Sequence, residues 1–448
     1  MAFPSPLVYL LSTGSPLPSY ISWPQLLFTL AFLLLSLPLI FGLALPLLLP
    51  IPRAPLPQEK TYITLQADGQ RSPPIRLPCW YDRWEDEVTL ARKKRGRAGG
   101  QSGEGDGVQI EAPEVMFSLV VPAFNEEDRV EEMLTEAVEV LRDLFPAPGL
   151  SHGTSQVESG IVFRATSQLS KGETPISQHH DSGSPQNTRR HNSDTPSQPS
   201  GFEIIIVDDG STDSTISTVL SVLGRLSPPL PPSTVRIIPL ASNRGKGGAV
   251  THALRHVRGE LCLFADADGA TKFSDLRKLL AVVQSEGWTH NLPTNGHTET
   301  GMNGKVRSHS NASTSSSKPG IVIGSRAWMT HTPSVTARNP LRNLLMRAFH
   351  LLLRMLTPTR TSAIADTQCG FKLFTRASLP LILPRMRCEG WVFDVEMLMR
   401  AEKEGVPVRE VSVGWREVGG SKLGLVGACW AMGSGVAVLR GWWALGEL

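Results

Sequence analysis

Two carboxylates one residue apart, Asp266 and Asp268, stand directly after the apolar run Leu261-Cys262-Leu263-Phe264-Ala265. At the end of a strand such a pair can face one hard divalent cation. Mg²⁺ and Mn²⁺ favour oxygen ligands of this kind and commonly bridge to substrate phosphates. A solvated acidic turn is the competing reading, and the apolar run just before the pair favours the first. A second acidic cluster, Asp208-Asp209-Gly210-Ser211-Thr212-Asp213, also follows an apolar run. It suits a turn with a helix cap, and equally a carboxylate that accepts from a nucleobase or a ribose hydroxyl. Gly245-Lys246-Gly247-Gly248 suggests a phosphate loop, but the GxxxxGK[ST] spacing is absent and no GxGxxG follows the first expected strand. It reads as a helix N-terminus where small residues let a nucleotide approach, with Lys246 facing an anionic donor. Alternatively, those glycines serve only tight helix packing.

The elements that must position these groups follow from apolar patterning. Buried strands are expected at 115–121, 203–207, 235–240, 261–265 and 321–324, with helices at 126–144, 212–226 and 246–257. Val130, Leu134, Val138 and Leu141 share one face of the first helix. Fully apolar strands alternating with helices predict an α/β fold with a mainly parallel central sheet covered on both faces. Ligands of such sheets sit beyond the carboxyl ends of the strands. Pro122-Ala123-Phe124-Asn125-Glu126-Glu127 and the three clusters above occupy those positions.

The chain of 448 residues carries 44 Lys plus Arg against 41 Asp plus Glu, a net charge of +3 that gives no argument for nucleic-acid binding. Its five cysteines form no CxxC pair, so neither a zinc site nor a disulfide framework is suggested. No charged residue precedes Arg53, and residues 25–49 form a Leu-rich apolar run long enough to span a bilayer as an N-terminal transmembrane helix. Arg53, Lys60, Arg71 and Arg76 follow it, which orients the remainder toward the cytosol. The sequon Asn311-Ala312-Ser313 is then expected to stay unmodified. The expected organisation is residues 1–52 with the anchor, a partly disordered linker at 53–114, a catalytic domain at 115–423, and a C-terminal segment at 424–448 that can touch the membrane. Residues 92–107, 148–201 and 288–319 are polar or Gly-rich and read as loops or insertions. The stretch 342–355 is amphipathic and basic, suited to lie on a membrane or against the protein core.

The strand-end motifs together resemble the inverting family 2 glycosyltransferases. Later ones, Gly324-Ser325-Arg326, Arg342-Asn343-Leu344-Leu345-Met346, the run from Asp366 to Phe374, Trp391-Val392-Phe393-Asp394-Val395-Glu396, Trp415-Arg416-Glu417 and Gly420-Ser421-Lys422-Leu423, look like the dolichyl-phosphate β-glucosyltransferases among them. That resemblance implies a GT-A nucleotide-sugar-binding fold. It also implies transfer of glucose from UDP-glucose to dolichyl phosphate with inversion, for protein N-glycosylation, at the endoplasmic reticulum membrane. By position it places Pro122, Ala123, Asn125, Glu126, Asp208 and Asp209 around uridine and ribose, with Lys246 facing the donor. Asp268 would hold Mg²⁺ or Mn²⁺ on the diphosphate, with Asp266 beside it on nucleotide or metal. Asp366, Gln368, Asp394 and Glu396 would orient sugar hydroxyls or cations. Arg326, Arg342 and Lys422 would grip the lipid phosphate or the diphosphate, and no residue is assigned as general base. The alternatives are a mannosyltransferase using GDP-mannose, an inactive nucleotide-sugar-binding protein, and a processive polysaccharide synthase, whose Gln-x-x-Arg-Trp motif is missing here.

Overall fold

A computed structural model of the chain describes residues 52–97, 110–146, 199–289, 292, 317–328, 340–418 and 425–448. The expected anchor at 25–49, nearly all of both long insertions, the sequon and Lys422 lie outside the described residues. The strands are β1 (Thr61–Tyr62), β2 (Ile75–Arg76), β3 (Val115–Ala123), β4 (Phe202–Asp208), β5 (Val235–Pro239), β6 (Gly259–Ala265), β7 (Ile321–Ser325), β8 (Phe371–Thr375) and β9 (Val408–Ser412). The longer helices are α1 (Trp80–Arg97), α2 (Val130–Leu144), α3 (Thr215–Arg225), α4 (Lys246–Leu254), α5 (Leu276–Ser285), α6 (Pro340–Leu356), α7 (Phe393–Lys403) and α8 (Leu425–Leu445).

Seven strands form one sheet in the order β5-β4-β3-β6-β8-β7-β9. The pairs β3/β4, β3/β6, β4/β5 and β7/β9 are parallel. β8 runs antiparallel to both β6 and β7. The five expected strands are present and the sheet is mainly parallel, as their largely apolar runs suggest; the charges inside two of them, Glu203 and Arg236, are buried as a pair. In α2 the burial of Val130, Leu134, Val138 and Leu141 matches the expected face. At about 1.5–3 kcal/mol for each fully buried aliphatic side chain, that stripe fixes the helix on the sheet.

Residues 53–114 are not simply a linker. Ile63 makes an antiparallel bridge to Ile237 of β5, and Trp80 Nε1 donates to the Leu254 carbonyl at 2.8 Å. Glu59 is fully buried, paired with Arg53 and accepting from the Ala241 N–H at 3.0 Å. A few large residues, Ile63, Leu77, Trp80 and Tyr81, bury enough surface to tie down an otherwise polar, Pro-rich stretch. Helix α1 runs to Arg97, so the start of the loop expected from residue 92 is helical.

A second, smaller core joins the C-terminal helices: Leu353 of α6, Val395 and Met399 of α7, and Val436, Leu439 and Trp442 of α8. One side of α6 therefore faces protein, while Leu351 and Met355 are exposed. Among the described residues no helix is long and apolar enough to cross a membrane.

Candidate active site

The carboxyl ends of β3, β4 and β6 bring the strand-end clusters to one rim. Ala123 pairs in register with Asp208, and the Asp209 N–H donates to the Ala123 carbonyl at 2.8 Å. Parallel pairing of β3 with β6 carries Asp266 and Asp268 to the same edge, one strand beyond β3. Two strand spacings, about 10 Å, therefore separate the two acidic clusters. A nucleoside diphosphate is long enough to span that gap.

The loops after β3 and β4 brace each other. Asn125 adopts φ 56°; its N–H donates to Ser211 Oγ at 2.9 Å, and its side-chain oxygen accepts from the Thr212 N–H at 2.8 Å. The Glu126 N–H donates to Thr215 Oγ1 at 2.8 Å, and the Glu126 carboxylate pairs with Arg129. Asn125 and Glu126 thus shape the wall of the site as well as standing on it. Asp208 and Asp209 are both buried. Burial raises the Asp208 pKa from its ordinary value, and its Oδ1 has no partner within the protein. Asp209 is pushed up to about 6, by burial first and by its charged neighbour Asp208, although it accepts the N–H groups of Arg244 (2.7 Å) and Gly245 (2.9 Å).

On the other side of β3, Lys246 Nζ lies 2.6 Å from Asp266 Oδ1, beneath the rings of Phe264 and Trp391. Burial lowers the Lys246 pKa, but Asp266, Asp394 and Asp268 outweigh it and hold the ammonium charged. Packing alone requires the glycines around Lys246. A Cβ on Gly245 would stand 2.6 Å from the Glu389 carbonyl oxygen, and one on Gly247 2.5 Å from Phe393 Cβ. Gly245 also has φ +83°. Asp266 itself is clamped from the far side: its N–H donates to the Gly370 carbonyl at 3.1 Å, and a Cβ on Gly370 would overlap its carboxylate.

Four expected ligand-facing residues, Arg326, Asp366, Asp394 and Glu396, are engaged with other protein groups. Arg326 donates to both oxygens of Asp366, from Nε at 2.7 Å and Nη2 at 2.8 Å, and the Arg326 N–H adds a third bond at 2.9 Å. Burial would raise the Asp366 pKa, and Arg326 more than offsets it. Asp394 is buried and takes a 2.5 Å bond from Lys372 Nζ, which also donates to the Cys369 carbonyl at 2.7 Å. Burial raises the Asp394 pKa. Glu396 lies deeper still: it accepts the N–H groups of Arg387 and Cys388 and pairs with Arg400, which makes it a scaffold residue. Gln368 is half-buried between Asp366 and Gly370. Arg342 falls in the first turn of α6.

Lys372 and Gly370 are site residues that sequence reasoning passed over. A lone Lys inside Phe371-Lys372-Leu373-Phe374 is a signal for a buried cation in need of a carboxylate. Trp415 bridges to Thr271, and the Arg416 N–H donates to the Ala270 carbonyl at 2.8 Å, so the late Trp-Arg-Glu motif closes over the loop after Asp268.

Among the described residues no three His, Cys, Asp or Glu side chains gather into a metal cage. The donor set nevertheless suits a cation that arrives with phosphate. Asp266 and Asp268 are half-exposed hard oxygen ligands, and Mg²⁺ commonly binds through one or two carboxylates with phosphate and water completing its shell.

The family model described as glycosyl transferase family 2 matches residues 192–344. The chain is 31% identical over 396 residues to a Saccharomyces cerevisiae protein named dolichyl-phosphate beta-glucosyltransferase, covering 88% of this chain and 87% of that one. Proteins of the same name from Dictyostelium discoideum (33% identical, 69% of each chain) and Homo sapiens (36% identical, 50% of this chain and 58% of that one) are also similar. A glucosyl-3-phosphoglycerate synthase structure from Mycobacterium tuberculosis aligns at 15% identity and TM-score 0.38 over 73% of this chain and 80% of its own, too loose a likeness to argue from.

Proposed function

Because the chain belongs to the dolichyl-phosphate β-glucosyltransferase family, we propose that the rim between Asp208 and Asp268 is where it holds its donor and carries out its reaction. The enzyme transfers glucose from UDP-glucose to dolichyl phosphate with inversion. The observation that carries the assignment of the site is the convergence of both acidic clusters and Lys246 on one edge of a GT-A-like sheet.

In this reading the loops after β3 and β4 form the wall against which uridine and ribose rest, and the unpartnered Asp208 Oδ1 accepts from the donor. Asp266 and Asp268 would hold Mg²⁺ or Mn²⁺ beside the donor. When bound, the cation offsets charge that develops on departing UDP. Lys246 keeps Asp266 in place and adds positive charge beside the diphosphate. The acceptor, a phosphate monoester with a second pKa near ~6, is largely dianionic at neutral pH and needs no strong base. Holding two anions together is the harder task. Arg326 serves it from the edge left over by its bidentate pair with Asp366. Asp394, held by Lys372, supports Lys246 from below, and Gln368 stands at the sugar.

The membrane setting belongs to the same proposal. The apolar run at 25–49 anchors the chain in the endoplasmic reticulum membrane, and the basic flank of Arg53, Lys60, Arg71 and Arg76 keeps the catalytic domain in the cytosol, beside its lipid acceptor.

The test uses detergent-solubilised full-length protein with dolichyl phosphate and labelled UDP-glucose, with and without Mg²⁺. Wild type yields a lipid-linked product only with metal, and Asp268→Ala loses about 100-fold or more. Wild-type turnover by Asp268→Ala removes the metal assignment, and equal transfer from GDP-mannose removes the donor specificity.

A further inference from the structure

Outside this rim, a cavity of about 550 Å³ lies along the side of α4 that carries Gly248, Thr251, His252 and Arg255. Their spacing puts them on one helical face, whereas Val250, Ala253 and Leu254 belong to the main core. Residues 52–55, the start of α1 and the turn at 385–389 supply the other walls. Six Arg or Lys side chains line the cavity against three carboxylates, and Glu59 and Glu447 pair with two of the six from outside the lining, which leaves the cavity weakly positive.

Four buried polar atoms on residues lining this cavity have no partner in the protein: Arg244 Nη1, Thr251 Oγ1, His252 Nδ1 and Arg255 Nε. Arg244 and His252 are themselves more than nine-tenths buried. Native proteins leave few such atoms unsatisfied, and a cluster of them calls for a ligand. Their chemistry is specific. Arg244 already holds the Glu389 carboxylate through Nε and Nη2, so its Nη1 is one spare donor; Arg255 Nε is a second, and together they suit an oxyanion. His252 Nε2 donates to the Glu59 carbonyl at 2.9 Å, which leaves Nδ1 of the neutral ring as an acceptor that asks for a hydroxyl hydrogen. Thr251 Oγ1 can serve either need.

We propose that this cavity is a second binding site, for a phosphate ester that also carries free hydroxyls. A polyol phosphate has that chemistry, whether soluble or as the headgroup of a bilayer lipid. The volume suits a ligand of that size. The lipid source rests on the membrane reading above: Arg53 follows the apolar run by four residues, a reach of at most about 14 Å. The site also touches the rim through one residue. The Arg244 main-chain N–H is held by Asp209, and the Gly248 N–H donates to the Glu389 carbonyl at 3.0 Å. An occupant gripping Arg244 therefore acts on the same turn that carries Lys246.

Full-length protein in detergent is titrated calorimetrically with myo-inositol 1-phosphate, glycerol 3-phosphate and inorganic phosphate. In parallel, its thermal midpoint is followed in mixed micelles with phosphatidylcholine alone or with added phosphatidylinositol. Arg255→Gln and Thr251→Val are compared with wild type, with metal-dependent turnover at saturating UDP-glucose as the control for folding. Saturable binding of a soluble polyol phosphate, weakened about tenfold or more in Arg255→Gln at unchanged turnover, supports the site with a soluble ligand. A midpoint raised by phosphatidylinositol in wild type but not in Arg255→Gln supports it with a lipid ligand. Saturation by neither source, or binding that both variants retain in full, overturns it. Inorganic phosphate binding as tightly as the polyol phosphates refutes the hydroxyl requirement. None of these outcomes depends on the Asp268→Ala result.

Discussion

Gly370 offers a test of the rim that removes no charged group. A Cβ at this position would lie 2.1 Å from Asp266 Oδ2 and 2.3 Å from Asp266 Cγ. To reach an ordinary van der Waals contact the carboxylate must retreat by about 1 Å. It retreats against two restraints, the 2.6 Å contact with Lys246 and the bond from its own N–H to the Gly370 carbonyl. Overpacking of this kind costs about 1–3 kcal/mol of stability. A 1 Å misplacement at a reacting centre lowers turnover by about 100-fold, equivalent to about 2.7 kcal/mol of transition-state stabilisation. Gly370→Ala should therefore stay folded, with a modestly lowered thermal midpoint, while kcat/KM for UDP-glucose falls by about two orders of magnitude. Steady-state kinetics with dolichyl phosphate, beside a thermal melt of the same preparation, reads both quantities. Turnover within about threefold of wild type would show that the position of Asp266 does not matter to the chemistry, and the site as described would be wrong.

Lys372→Met should strand the buried Asp394 carboxylate and destabilise the fold by about 3–5 kcal/mol, read by denaturant melts. Adding Asp394→Leu should recover most of that stability without restoring turnover. Asp209 is protonated in the fold below about 6, but in the unfolded chain only below about 3.8. The folded state thus binds more protons between those values, and this group's penalty is relieved as pH falls from 6 toward 4. Relative to Asp209→Asn, wild type should gain stability over that window; parallel melts at pH 4.5 and 7 that show no difference would refute the buried-carboxylate assignment. Arg326→Lys keeps the charge but loses the two-point pairing with Asp366. It should lower kcat/KM by about tenfold or more, and an unchanged value would remove Arg326 from the anion grip.

Much of this architecture is legible in the residue order because largely apolar runs announce buried parallel strands. The chemistry then sits where such strands end, which is why the placement of Asp208 and Asp266 was readable. β8 escaped notice because Lys372 interrupts its run, and the partner that permits that burial, Asp394, lies 22 residues further on. β9, Val408-Arg409-Glu410-Val411-Ser412, is an edge strand with largely exposed side chains and gives no apolar signal. The segment from 53 hid its packing behind prolines and charges, since a handful of large side chains does the burying. Pairings such as Arg326 with Asp366 are set by the crossing of distant loops, which local spacing does not encode. The glycines beside Lys246 had two readings in the sequence, and the packing one is visible in the structure, against the neighbouring turn at Glu389.

The antiparallel insertion of β8 between β6 and β7 also governs the order in which the protein can be assembled during synthesis. β6 borders β3 on one side and receives its other neighbour only from residues 371–375, while β7 pairs with β8 and β9 and never with β6. Roughly 100 residues separate the two strands, so at translation rates of about 5–20 residues per second the nascent sheet carries an open, largely apolar edge for roughly 5–20 s. During that interval the ribosome-bound chain is a template for pairing with other chains, and a product ending before β8 would keep that hazard permanently.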